Sequence, residues 1–148
     1  MSAFRGAVTT IVASATQSAS GNSGALNLPA LLGGGADGVQ FILNVTASSS
    51  PTTLDVYLQH SPNQGTTWYD FAHFVQVGAV STAIQSLSWA RRSQALVTAN
   101  TGVITTGDAA LAAGIVINGP IVDNYFRAKW VIVGTSYTFS LVAIQDRD

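Results

Sequence analysis

Residues 54–59, LDVYLQ, alternate without a break: Leu54, Val56 and Leu58 fall on one side, Asp55, Tyr57 and Gln59 on the other. A period of two belongs to a strand with one buried face, not to a helix. Residues 61–65, SPNQG, follow with turn chemistry: Pro62 fixes φ, Asn63 tolerates unusual backbone angles and Gly65 accepts a positive φ. Residues 66–74 then bring Trp68, Tyr69, Phe71 and Phe74, side chains that favour a pleated surface. The stretch 54–74 therefore predicts a hairpin, and with it an all-β domain.

The end of the chain alternates in the same way. In residues 124–133, NYFRAKWVIV, Phe126, Ala128, Trp130 and Ile132 share a face opposite Tyr125, Arg127, Lys129 and Val131. Residues 137–145 set Tyr137, Phe139, Leu141 and Ala143 against Thr138, Ser140, Val142 and Ile144. Gly134, Thr135 and Ser136 lie between the two runs and predict a turn, hence a second hairpin. Further strands are expected over residues 7–15, around Leu26 and Leu28, over 39–47, 83–89 and 95–104, and at 115–117. Ser48, Ser49, Ser50 and Pro51 read as a turn, and residues 18–24, SASGNSG, as a loop. Residues 108–113, DAALAA, carry helix propensity for one or two turns only. The predicted fold is an antiparallel β-sandwich or jelly roll of one domain over residues 1–148. Residues 1–24 are a candidate N-terminal arm and residues 78–119 a loop-rich excursion.

Composition narrows the function. Of 148 residues only 9% are charged, with seven Asp and no Glu, against roughly 25% in an ordinary soluble domain. A surface so poor in charge promotes association. The excursion 78–119 holds only Arg91, Arg92 and Asp108, and the stretch 2–24 only Arg5. Both are expected to be association surfaces covered by sister subunits or a partner. The net charge of −1 gives no electrostatic reason to expect nucleic acid. No apolar run is long enough to span a bilayer as a helix, and Met1–Gly6 has a basic residue but no apolar run after it, so no secretory signal is read there. Without Cys there are no disulfides and no thiolate ligands.

Candidate chemistry is sparse. His60 and His73 lie in the two arms of the predicted central hairpin, where they could approach across the sheet, with Asp55 or Asp70 as a third metal ligand. The expected alternative is a pair of exposed or hydrogen-bonded strand histidines. Glycoside hydrolysis needs paired carboxylates, and the scattered Asp residues single out no such pair. There is no G-x-S-x-G elbow. Residues 33–38, GGGADG, satisfy a G-x-G-x-x-G pattern, but a strand follows where a dinucleotide site requires a helix. Arg91 and Arg92 read as a surface contact. Trp68, Tyr69, Phe71, Phe74, Trp89 and Trp130 could stack on sugars, but core filling is the expected role. No catalytic residue, no metal ligand set and no cofactor site is assigned, and no enzyme activity is expected.

The string LDVYLQHSPNQGTTWYDFAHF resembles a segment of small tailed-phage virion proteins, in which a strand ending "LQ-S" runs through a turn into "G-TW-DF". The C-terminal YFRAKWVIVGTSYTFSLVA is similar to the same group, which often closes with "R-K" followed by "GTS-(Y/F)TFS". The resemblance implies a head decoration (cement) protein with a jelly-roll-like fold. It further implies the major capsid protein and the protein's own copies (a dimer or trimer) as partners, and the virion surface as location. A carbohydrate-binding sandwich, or a tail or neck component, is the alternative. The excursion 78–119 has no counterpart in the resemblance.

Overall fold

The computed structural model describes residues 5–27, 38–79, 82–90, 107–117 and 125–146. The glycine run at 33–37, Leu28, Arg91 and Arg92, and the strand expected over 95–104 lie outside the described residues. Within them there is no helix, and every ladder is antiparallel. The chain is all-β, as the alternation predicts.

Among the described residues there are eight strands: β1 (Arg5–Gln17), β2 (Gly21–Asn22), β3 (Leu26–Asn27), β4 (Gly38–Ser61), β5 (Tyr69–His73), β6 (Ala83–Ala90), β7 (Ile115–Val116) and β8 (Tyr125–Asp146). The frame is the pair β4 and β8, of 24 and 22 residues, in register from Gly38 opposite Asp146 to Ser61 opposite Tyr125. Strands usually run about 3–10 residues. These two stay paired over a greater length because they bend together.

Two expected turns are corrected here. Residues 48–51 do not reverse the chain, and neither do residues 134–136, so the predicted C-terminal hairpin does not exist. Ser48 lies opposite Tyr137, Ser49 opposite Ser136 and Pro51 opposite Gly134, inside one continuous ladder. Ser50 has φ 41° and Gly134 φ 114°, and the register shifts between Val45 and Ala47 and between Pro51 and Thr53. The small residues in both strands meet at one level, where they absorb a shared kink. Glycine at position 134 accepts a φ that other residues reach only under strain.

The kink divides the sheet into two leaves. In the first leaf the early half of β4 is flanked by β6, and the late half of β8 by β1. In the second leaf the late half of β4 is flanked by β5 and then β7, and the early half of β8 by β2 and β3. The leaves close on each other as a nearly closed, barrel-like sandwich. Phe41 of the first leaf meets Phe71 of the second at 6.1 Å between ring centroids, and Phe71 meets Trp89 of the first at 6.3 Å.

The core carries the predicted faces: Leu54, Val56, Leu58, Phe126, Ala128, Trp130, Tyr137, Phe139, Leu141 and Ala143 are all buried. Trp68, expected with them, stands in the connection after β4 and is only half-buried, outside this cluster. Trp130 donates its indole N–H to the Ala19 carbonyl at 3.1 Å, and a Cβ at Gly21 would stand only 3.1 Å from the same ring. The connection itself is held by Ser61 and Asn63. Ser61 Oγ accepts from Gly65 N–H at 2.7 Å, and Asn63 Oδ1 accepts from Thr67 N–H at 2.7 Å.

Candidate functional site

Among the described residues, the charged side chains converge on the outer face of the second leaf. Cross-strand register builds two rows there. Arg127, Gln59 and Asp70 form one, across β8, β4 and β5; Lys129, Tyr57 and His73 form the next. Strict alternation would place Asp70 and His73 on opposite faces of β5. A bulge between Leu58–Ala72 and Gln59–Asp70 leaves Phe71 as the extra residue, and Phe71 turns into the core. Asp70 and His73 thereby share the outer face.

Residues 107–117 of the excursion lie across these rows. Asp70 is buried and accepts three consecutive backbone N–H groups, from Ala109 at 3.0 Å, Ala110 at 2.7 Å and Leu111 at 2.9 Å. Such a nest of N–H groups is a natural anion site. Ala109 sits at φ 55° to form it, so the expected helical turn over 108–113 is replaced by a turn that wraps a carboxylate. Gln59, fully buried, donates to Asp70 at 2.7 Å and to Asp108 at 2.6 Å, and accepts from Arg127 Nε at 2.8 Å. Lys129 Nζ reaches Asp108 at 2.7 Å. Burial opposes ionisation of Asp108, but hydrogen bonds from Lys129 and Gln59 and the charges of Lys129 and Arg127 hold its carboxyl below the ordinary value.

His73 closes the far side. Its Nε2 is 2.9 Å from Asp55 Oδ1, its Nδ1 is 2.7 Å from the Leu111 carbonyl, and its ring stacks on Tyr57 at 3.9 Å. Asp55 also accepts from Gln76 Nε2 at 2.9 Å. Burial, with Asp55 and Asp70 nearby, pushes the Tyr57 phenol above its ordinary value. Backbone bonds from Gly114 N–H to the His73 carbonyl and from Ile117 N–H to that of Phe71 complete the attachment. A carboxylate beside an imidazole is the geometry of a general base and its orienting partner. Here the second ring nitrogen faces a backbone carbonyl, so neither nitrogen is open to a substrate. The arrangement fastens a loop.

The two histidines do not approach each other. His60 points into the core, edge-on to Phe71 at 5.8 Å, and its Nδ1 has no hydrogen-bond partner. Burial pushes its imidazole down to about 4, against the attraction of Asp70. The expectation of two exposed or hydrogen-bonded strand histidines therefore holds for His73 and fails for His60. Among the described residues no three His, Asp or Glu side chains gather into a possible metal site. The aromatic residues serve mainly as core: Phe71, Phe74, Trp89 and Trp130 are buried, while Trp68 carries the Arg127 guanidinium 4.2 Å above its ring.

Gln59, Asp108, Arg127 and Lys129 were not singled out by their sequence context. The usable signal was Asp108, a lone acid in an almost uncharged stretch, with Arg127 and Lys129 on the polar side of an alternating strand. No protein-family model matches the chain, and no curated protein is similar to it.

Proposed function

We propose that this protein is a structural virion protein that decorates a phage capsid and stabilises it by binding across capsomer joints. The observation that carries the reading is the outer face of the first leaf. Among the side chains described there, from β1, β4, β6 and the late half of β8, none is charged. Val8 is 65% exposed and Ile84 76%, with Ile42, Val142 and Ile144 half-exposed between them. Register sets Val8 beside Ile144 on one row, and Val142 beside Ile42 on the next. A continuous apolar and neutral face is a liability on a free monomer and an asset under a partner. Burying it on a capsid would add free energy to the assembled state alone.

The alternative is a carbohydrate-binding sandwich, or a tail or neck component. No observation favours a sugar platform: Trp89 and Trp130 are in the core, and Arg127 covers one face of Trp68. Cosedimentation with expanded capsids that lack the protein, run beside a glycan array, separates the two readings. Saturable capsid binding with a silent array supports decoration. Glycan binding without capsid binding refutes it.

A further inference from the structure

His73 has an acceptor on each side. Asp55 Oδ1 lies 2.9 Å from Nε2 and the Leu111 carbonyl oxygen 2.7 Å from Nδ1. A carboxylate and a carbonyl only accept, so both bonds exist together only when both ring nitrogens carry protons. We propose that His73 is a proton-gated latch, which holds the 107–117 loop on the second leaf while its ring is doubly protonated and releases the Leu111 side when one proton leaves.

The surroundings decide which bond breaks. If the neutral ring kept Nδ1–H, the Nε2 lone pair would face the Asp55 carboxylate. If it keeps Nε2–H, the lone pair faces only the Leu111 carbonyl dipole. The second arrangement is less costly, because a charge-assisted bond is stronger than a neutral one. The proton is therefore retained toward Asp55, and Leu111 loses its donor. The other groups around the ring do not compensate. Asp55 and Tyr57 face it from β4, and Asp70 stands on its own strand. Gln76 is already bonded to Asp55, and Lys129, in register with Tyr57, is bonded to Asp108. Tyr57, pushed above its ordinary value, stays neutral through the range in which imidazoles titrate, about pH 5 to 8. Asp70 keeps its three N–H bonds throughout, so the loop loosens beyond Leu111 and stays tethered before it.

Amide hydrogen exchange on the intact protein tests this, with each rate referred to its intrinsic value at that pH. Gly114 and Ile117 N–H report the loop, and Phe74 N–H, bonded to the Val56 carbonyl at 3.0 Å, reports the sheet. Between about pH 5 and about pH 9 the loop amides lose about tenfold in protection, as expected for one hydrogen bond, while Phe74 does not change. In His73→Asn the side-chain amide stands close to the Nδ1 position and donates without titrating, so loop protection is independent of pH. In His73→Gln the amide reaches toward Asp55 instead, and the loop is weakly protected at every pH. Wild-type protection that does not vary with pH overturns the latch, as does a pH dependence that survives in His73→Asn. Should the variants fail to fold, nitrogen NMR of the wild-type ring decides: protons on both nitrogens at low pH and on Nε2 alone at high pH support the latch. Retention of Nδ1–H at high pH refutes it.

Discussion

Trp130 and Phe139 belong to one strand, nine positions apart, yet their rings meet edge to face with centroids 5.6 Å apart. An extended strand would separate them by about 30 Å. The contact exists because β8 folds over at Gly134 and carries its own two halves into opposite leaves. β4 does the same at Ser50, so one pair of strands supplies the centre of both leaves and the corner between them.

Trp130→Ala is expected to destabilise the fold by about 3–5 kcal/mol, the range for truncating a buried aromatic residue. Trp68→Ala, made at a half-buried ring outside the core cluster, should cost about 1 kcal/mol, the scale of its cation–π contact with Arg127. Urea melts of the two variants check the difference. Equal losses would place Trp68 in the core.

The corner depends on backbone freedom. Gly134→Ala forces a side chain onto φ 114° and should cost about 1–3 kcal/mol. Gly21→Ala puts a methyl group 3.1 Å from the Trp130 ring, which the Ala19 carbonyl holds in place, and should cost about 1–3 kcal/mol through overpacking. Thermal melts of both variants, compared with Gly78→Ala, where a Cβ meets nothing within 4 Å, test these values.

Much of this fold was legible in the sequence. Period two at Leu54, Val56 and Leu58, at Phe126, Ala128 and Trp130, and at Tyr137, Phe139 and Leu141 assigned the buried faces. What alternation could not show was continuity. Ser-Ser-Ser-Pro and Gly-Thr-Ser have the chemistry of reversals, and only their position opposite each other in a ladder makes them a shared bend. The polar cluster was hidden for a second reason. A bulge at Phe71 changes which side chains face outward, so Asp70 and His73 come together against their parity. Asp108 joins the cluster through Gln59, forty-nine positions away, a distance that no local pattern spans.

Asp70 is the anchor of the loop. Asp70→Asn removes the charge that three backbone N–H groups and Gln59 address, and should cost about 3 kcal/mol, since hydrogen bonds to charged groups contribute more than neutral ones. Limited proteolysis should then cut within 107–117 faster than in the wild type. An unchanged cutting rate would mean the loop is held elsewhere.

His60 makes stability fall on the acid side. Burial holds its imidazole at about 4 in the folded chain, against 6.5 ordinarily. The unfolded chain takes up a proton that the folded chain refuses, so stability is full above about pH 6.5 and declines as pH falls toward about 4, by about 3 kcal/mol in all. His60→Phe should remove this part of the decline. Denaturant midpoints of wild type and variant at pH 7 and 4.5 measure it; parallel declines would show that other groups are responsible.

The central proposal is that the outer face of the first leaf, uncharged among its described side chains, docks on a capsid. Val8→Asp and Ile84→Asp together place two charges on it at exposed positions, so the melt should move by no more than about 0.5 kcal/mol per site. The direct measurement is occupancy on expanded capsids by cosedimentation, wild type against the double variant. Decoration by this face predicts saturable binding of the wild type and at least a tenfold loss of affinity in the folded variant, about 1.4 kcal/mol. Equal occupancy of the two proteins would contradict the assigned face, and no binding of the wild type would contradict decoration itself.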